Sequence, residues 1–167
     1  MEEIFNRRSI RKYKSKDVEE EKINKILKAG MAAPSAGNEQ PWEFIVVTEE
    51  NLKEKIMDVH PYSDMLKQAP VAILVCGNMT EKRFEGYWEQ DCAAATQNML
   101  LMVESLDLGG VWLGVYSDKK RMEGLSKIFD LPEYIVPFSI ISIGYPAEEK
   151  YPSQRYQAEK VHYNSFK

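Results

Sequence analysis

Asp91-Cys92-Ala93-Ala94-Ala95-Thr96-Gln97-Asn98-Met99-Leu100-Leu101-Met102-Val103-Glu104-Ser105-Leu106-Asp107-Leu108-Gly109-Gly110-Val111-Trp112-Leu113-Gly114 is the stretch on which the fold turns. From about Tyr87 to Leu108 the spacing is helical but hardly amphipathic. Ala93, Ala94, Ala95, Met99, Leu100, Leu101, Met102, Val103 and Leu106 cover more than one face, so this helix has to be surrounded. Gly109-Gly110 is expected to end it, and Val111 to Val115 returns as a strand. The order matters. A dinucleotide-binding unit needs a strand, then glycines, then a helix whose N-terminus meets the pyrophosphate. Here the helix comes first and the strand last, so Gly109-Gly110-x-x-x-Gly114 is not that motif.

Working outward, Val71-Ala72-Ile73-Leu74-Val75-Cys76 reads as a central strand, apolar on both faces. Phe44-Ile45-Val46-Val47 is a buried strand, and Phe138 to Gly144, after Pro132 and Pro137, is the last one. Asp17 followed by Glu20 has capping-box spacing for a helix carrying Val18, Ile23, Ile26 and Leu27 to about Ala29–Met31. Thr48 is the expected cap of a helix with Leu52, Ile56 and Val59. Ser117 is the expected cap of one with Met122, Leu125, Ile128 and Phe129. Pro61 and Pro70 bracket a short helical piece, and Pro34 to Pro41 is a loop by composition. The tail from Tyr145 to Lys167 is polar and aromatic with little periodicity, and is expected to lie over a neighbouring surface. The whole is α+β, one domain over 1–167, with one core sheet and a dominant central helix.

The 167 residues are 44% hydrophobic and 29% charged, enough apolar material for a core. A domain this small struggles to enclose a helix completely, so a partner subunit is a natural source of cover. Lys+Arg 22 against Asp+Glu 26 leaves a net charge of −4, which disfavours nucleic acid as a partner. No apolar stretch is long enough to cross a bilayer, and the N-terminus has no signal-peptide core, so the expected address is cytoplasm with no membrane contact. Cys76, Cys92, His60 and His162 show no metal-ligand spacing; no metal is expected, and the thiols read as buried and free. His60 before Pro61 reads as a turn residue rather than a general base.

Arg7-Arg8-Ser9-Ile10-Arg11-Lys12-Tyr13 packs four cations and a hydroxyl into an otherwise acidic chain. Two readings fit: a solvated basic patch after a short helix, or a grip on phosphate by forked guanidinium donors. Other segments would complement the second. Ser35, Asn38 and Gln40 offer directed amide and hydroxyl groups, or else serve their own loop. Gly114 allows close backbone approach. Trp42 and Trp112 are either packing residues or the flanks of a planar ring.

With Arg7 to Tyr13, Ala33 to Trp42, Asp91 to Asn98, Gly110 to Gly114, Ile143-Gly144-Tyr145-Pro146 and Val161-His162-Tyr163, all in order, the sequence resembles the nitroreductase family of FMN-dependent oxidoreductases, in its short, minimal form. The resemblance implies a central, mainly antiparallel sheet flanked by helices, a long buried central helix, and an intertwined homodimer with FMN at the subunit interface. It implies tightly bound, non-covalent FMN, contacted by Arg7, Arg8, Ser9 and Arg11 at the phosphate, ribityl chain and pyrimidine edge, with Arg155 closing on the phosphate. Ser35, Asn38 and Pro34 would come from the other subunit, with Gln40 a further cofactor contact or a residue that serves its own loop. Leu113 and Gly114 would run along the ring, with the Gly114 amide near N5.

Two stretches depart from the family pattern. Pro61-Tyr62-Ser63-Asp64 stands where many members carry a Lys or Asn pair, and Ser153 where a Lys is common. The implied activity takes electrons from NADH or NADPH through FMN to a small acceptor such as a nitroaromatic, quinone or flavin, in ping-pong order. Arg11 and Gly114 would tune the flavin, and no protein acid is assigned. A non-catalytic FMN-binding sensor or storage protein is the alternative. The acceptor slot is expected between Pro61 and Pro70 and between Thr80 and Tyr87.

Overall fold

Strand β2 (Val71–Asn78) is buried along nearly its whole length, and its side chains divide by the period of two. Val71, Ile73 and Val75 enter one apolar cluster; Ala72, Leu74 and Cys76 enter another. Strand β4 (Ile135–Gly144) repeats the pattern, with Ile141 and Ile143 on one side and Ile140 on the other. Around this pair stand β1 (Trp42–Val47) and β3 (Gly109–Gly114), giving a sheet in the order β1-β2-β4-β3, antiparallel at each pairing. The structure is a computed structural model that describes residues 2–80, 84–152 and 154–166. Antiparallel strands and flanking helices match the α+β expectation.

Helices cover both faces. α2 (Glu20–Met31) and α4 (Trp88–Ser105) supply the first cluster through Ile26, Cys92, Ala95, Met99, Leu100 and Val103. α3 (Glu50–Val59) and α5 (Lys119–Ile128) supply the second through Ile56 and Leu125. A short α1 (Glu3–Asn6) lies against α4. Gly30 lets α2 close onto α4, since a Cβ there would stand 2.9 Å from Met99. The expected burial of α4 holds on the sheet side. Its outer side is half-buried at Ala94, Leu101 and Met102, and opens with Ile4, Ala29 and Ala32 into an apolar cleft of about 490 Å³.

Several boundaries differ from expectation, each for a local reason. The expected caps Asp17, Thr48 and Ser117 do not cap. α2 and α3 start from Glu19 and Glu49 in extended conformation with no side-chain cap, and α5 starts from Asp118, whose carboxylate accepts the Arg121 N–H at 3.1 Å. The glycines do not end α4. Asp107, in the left-handed region at φ 59°, turns the chain out of the helix, leaving Gly109 and Gly110 to open β3. Pro137 does not precede β4 but lies inside it, at the register irregularity opposite Val75 and Cys76, where a missing N–H is tolerated.

The tail does not leave its own chain at once. Lys14 N–H donates to the Tyr145 carbonyl at 2.8 Å, Ala147 N–H to that of Lys12 at 2.9 Å, and Lys150 Nζ to that of Ser9 at 2.6 Å. Beyond Ser153, which lies outside the described residues, Tyr156, Tyr163 and Phe166 are exposed.

Candidate functional site

Strand β3 is at the sheet edge, and the segment after α1 runs along its outer side. Ser9 bridges Gly110 in parallel sense, and Ile10 N–H donates to the Gly110 carbonyl at 3.1 Å. Gly109 makes room for this: a Cβ there would meet Ile10 at 2.7 Å. The segment thereby carries Arg7 and Arg8 to one end of β3 and Arg11 toward the other.

Arg7 and Arg8 face Arg155 across a cleft of about 660 Å³, with Phe5, Pro152 and Tyr156 in its walls. The Arg7 guanidinium is held below its ordinary pKa by burial and by the charges of Arg8 and Arg155, with Glu104 acting the other way. Like charges crowded in a half-buried cleft favour an anion between them. Arg8 is positioned differently from the other two. Its Nε donates to the Tyr151 carbonyl at 3.0 Å and its Nη1 to the Arg7 carbonyl at 2.6 Å, and its Nη2 donates to the Phe5 carbonyl. Its charge faces the cleft while its fork ties the tail to the N-terminal segment.

A second cleft, of about 470 Å³, gathers Arg11, Trp112, Leu113 and Gly114 with Tyr62 and Arg121. At Gly114 an added Cβ would meet no atom within 4 Å, so the backbone lies open to the cleft. The Gly114 carbonyl receives Arg121 Nη1 at 2.8 Å and lies 2.9 Å from His60 Nε2. The backbone N–H of Arg11 donates to Glu148 Oε1 at 2.6 Å, which holds the segment while its side chain stays exposed. Pro61, Tyr62 and Asp64 line this cleft, and Trp112 does too; Ser63 is buried beneath it, and Trp42 is buried in the core.

The third expected group stands apart. In the 34–41 loop Gly37, Asn38 and Gln40 are all left-handed, at φ 56°, 57° and 51°. Ser35 Oγ accepts the Gln40 N–H at 3.0 Å, and Gln40 Nε2 donates to Asn38 Oδ1 at 3.2 Å, so these side chains hold their own loop in shape. Ala36 N–H donates to Asp91 Oδ1 at 3.1 Å, anchoring the loop at the start of α4. The other oxygen of Asp91 is buried without a hydrogen-bond partner, and burial raises the carboxyl above its ordinary pKa. Arg7, by contrast, neighbours Glu104 at the end of α4. At 1.5 Å per residue, Asp91 and Glu104 are separated by roughly 20 Å along the helix. One chain brings Arg7, Arg8, Ser9, Arg11, Leu113, Gly114 and Arg155 along one edge; Pro34, Ser35, Asn38 and Gln40 lie at the end of α4 opposite Arg7, toward which β3 runs back, with Tyr116 Oη donating to Glu89 at 3.0 Å.

Sequence reasoning missed His60 and Arg121 as site residues. His60 is 2% exposed and bonded to the site backbone, far more than a turn residue. Arg121 falls on the first turn of an amphipathic helix, where a cation carries no signal of its own. Part of the expected Thr80–Tyr87 slot, residues 81–83, lies outside the described residues. Cys76 and Cys92 are buried and free, the Cys76 thiol pushed up to about 12 by burial. Among the described residues no three or more His, Cys, Asp or Glu side chains gather as a metal site, and no helix is long and apolar enough to cross a membrane.

An edge strand flanked by arginines, an open glycine and a central helix under an antiparallel sheet define the class: the nitroreductase family model matches residues 4–60 and 57–145, and the chain belongs to that family. A protein of Methanothermobacter thermautotrophicus named "Putative NADH dehydrogenase/NAD(P)H nitroreductase" is 49% identical over 162 residues, 97% of this chain and 85% of the relative. A crystal structure from Parabacteroides distasonis with the same name is 43% identical, with a TM-score of 0.94 over 98% of this chain and 96% of that one. Another, from Desulfovibrio desulfuricans, described as a "putative nitroreductase in complex with fmn", is 31% identical, with a TM-score of 0.85 over 99% and 96%.

Proposed function

We propose that this chain is an FMN-dependent oxidoreductase that moves electrons from NADH or NADPH to a small acceptor. The observation that carries the reading is the outer edge of β3, where a guanidinium cleft and an open-backbone cleft are joined by the Ser9–Arg11 segment. That edge fits the cofactor. Crowded cations at Arg7, Arg8 and Arg155 suit its phosphate, and the bare backbone at Gly114 suits a flat ring. When bound, FMN supplies the redox chemistry, taking two electrons from the nicotinamide and passing them to a nitroaromatic, quinone or flavin.

The chain's own part is to bind and orient. Arg7 and Arg155 neutralise the phosphate, with Arg8 adding charge and fixing the tail. Arg11 would place a cation at the pyrimidine edge, where negative charge gathers, and the Gly114 N–H would be offered to the ring. One open cleft bounded by Tyr62 and Trp112 serves donor and acceptor in turn, which is ping-pong order.

The Ser35–Gln40 loop reaches this site from a second copy. Within one chain the loop neighbours the opposite end of α4 from Arg7, and the half-covered apolar side of α4 gives the second copy a surface to bury. The exposed aromatic tail beyond Ser153 lies across that copy. The protein acts in the cytoplasm as a homodimer.

Titration of apo-protein with FMN tests the reading, and should end at one flavin per chain in a dimer. Anaerobic NADH or NADPH should then bleach the flavin, and acceptor should restore it. Failure to take up FMN would overturn the proposal, and FMN uptake without bleaching would mark a binding protein instead. Arg11→Ala should weaken FMN binding about tenfold, the scale of one charge-assisted hydrogen bond, and slow the bleaching in stopped flow. Unchanged affinity and unchanged bleaching would remove Arg11 from this role.

A further inference from the structure

We infer that His60 and Arg121 are positioning residues that clamp the Gly114 carbonyl and thereby hold the Gly114 N–H toward the cleft. The inference rests on the flavin reading above and adds to it the part that keeps a glycine still.

Gly114 needs such a part. It is the last residue of β3, it has no side chain, and nothing packs where a Cβ would be. A glycine in that setting has more backbone freedom than any other residue. Two donors converge on its carbonyl from two helices: His60 follows the last turn of α3, and Arg121 lies in the first turn of α5. The helices are locked together, since a Cβ on Gly124 of α5 would stand 2.8 Å from Val59 of α3. Their two donors therefore act as one fixed frame.

The direction of the N–H follows from strand geometry. In an antiparallel ladder the N–H and C=O of one residue point to the same edge. The Gly110 carbonyl faces outward to Ile10, and the Gly114 carbonyl, four residues on, faces outward to His60 and Arg121. The Gly114 N–H consequently faces the outer edge, into the cleft lined by Arg11. Fixing the carbonyl fixes the donor beside it.

The hydrogen bonds also set the state of the imidazole. Tyr62 N–H donates to His60 Nδ1 at 3.3 Å, so Nδ1 carries the lone pair and Nε2 carries the proton given to Gly114. Arg121 is held in turn by Asp118 Oδ2 at 3.4 Å and lies over the Tyr62 ring, 5.4 Å from its centre. The groups facing His60 are Arg121 and Asp118 from the α5 side and Tyr62 from the turn, with Arg11 and Asp64 on the same cleft. Protonating Nδ1 would set two donors against each other and add a cation beside Arg121. Burial and, to a lesser degree, the charge of Arg121 lower the His60 pKa, with the hydrogen bond to the Gly114 carbonyl acting the other way. As pH falls below the ordinary histidine range of about 6.5, the unfolded chain takes the proton first. The clamp's contribution is therefore present above that range and lost on the acid side.

The test compares His60→Gln, which keeps an N–H donor near Nε2 but cannot titrate, with His60→Phe, which fills the space without a donor. Flavin potential, kcat against pH and thermal midpoint are measured on the FMN-loaded dimer. His60→Phe should lower kcat about tenfold and shift the flavin potential. His60→Gln should recover most of that loss and abolish the acid limb of the wild-type profile. A kcat and potential in His60→Phe equal to wild type, or a His60→Gln as impaired as His60→Phe, would overturn the clamp.

Nitrogen NMR of the imidazole in wild-type apo-protein is independent of folding of the variants and of FMN. An Nε2–H tautomer supports the clamp, and an Nδ1–H tautomer refutes it. A wild type that takes up no FMN would sink the parent reading by itself, whatever the tautomer.

Discussion

Arg7→Met should lower FMN affinity by roughly 10- to 100-fold, the range for a charge-assisted hydrogen bond of about 1.5–3 kcal/mol, without lowering the thermal midpoint of the apo-protein. Both halves follow from the same surroundings. Arg7 is half-buried beside Arg8 and Arg155, and its lowered pKa reports first burial and then those like charges. An anion relieves the crowding, so the side chain is worth most when the phosphate is present. Without the ligand its charge is a burden, and methionine keeps the apolar stem that packs near Phe5 and Ile4. Isothermal titration and differential scanning calorimetry on the same preparation check the two halves. Wild-type affinity in Arg7→Met would remove Arg7 from phosphate binding. A large drop in midpoint would make it a structural residue.

Ile141→Ala should destabilise the fold by about 2–5 kcal/mol, a large share of the 5–15 kcal/mol that holds a typical domain. Ile141 is fully buried in β4 and belongs to the cluster between the sheet and α4, with Ile73 and Met99. Truncation removes transfer energy and leaves a cavity, because close-packed neighbours on both sides relax only partly. Urea unfolding should show a lower midpoint with an unchanged slope. FMN affinity at a denaturant concentration where both proteins are folded should match wild type. A loss under 1 kcal/mol would mean that this region repacks freely.

The parts of the fold legible in the sequence are those whose burial is unambiguous. Val71 to Cys76 must be a central strand, since neither parity of its side chains could face water, and both parities enter cores. The apolar surplus on α4 likewise announced a helix that a small sheet could not cover by itself. Boundaries were less legible, because short-range signals compete. Asp17, Thr48 and Ser117 all had the right chemistry for caps, but the chain enters each helix one or more residues later. Gly109-Gly110 looked like punctuation because glycine breaks helices; its role is to let Ile10 and the Ser142 carbonyl approach β3. Asp107 did the turning instead.

The site divides the same way. Arg7, Arg11, Gly114 and Arg155 carried signals because cations and glycine have narrow uses. His60 and Arg121 reach Gly114 through tertiary packing of α3 on α5, which no local spacing encodes. Arg8 was legible as a cation but not as a strap, since its acceptors are carbonyls at Phe5, Arg7 and Tyr151.

The length of α4 has a consequence for how the protein is supplied with its coenzyme. Arg7 and the Ser35 loop neighbour opposite ends of that rod, so under the proposed shared site a solitary chain would offer only part of the grip. Under that proposal, pairing and loading would become a single mass-action equilibrium, in which flavin would act as a bivalent glue. Synthesis at low copy number would leave a colourless pool, and a rise in either chain or flavin would convert it abruptly to the loaded form.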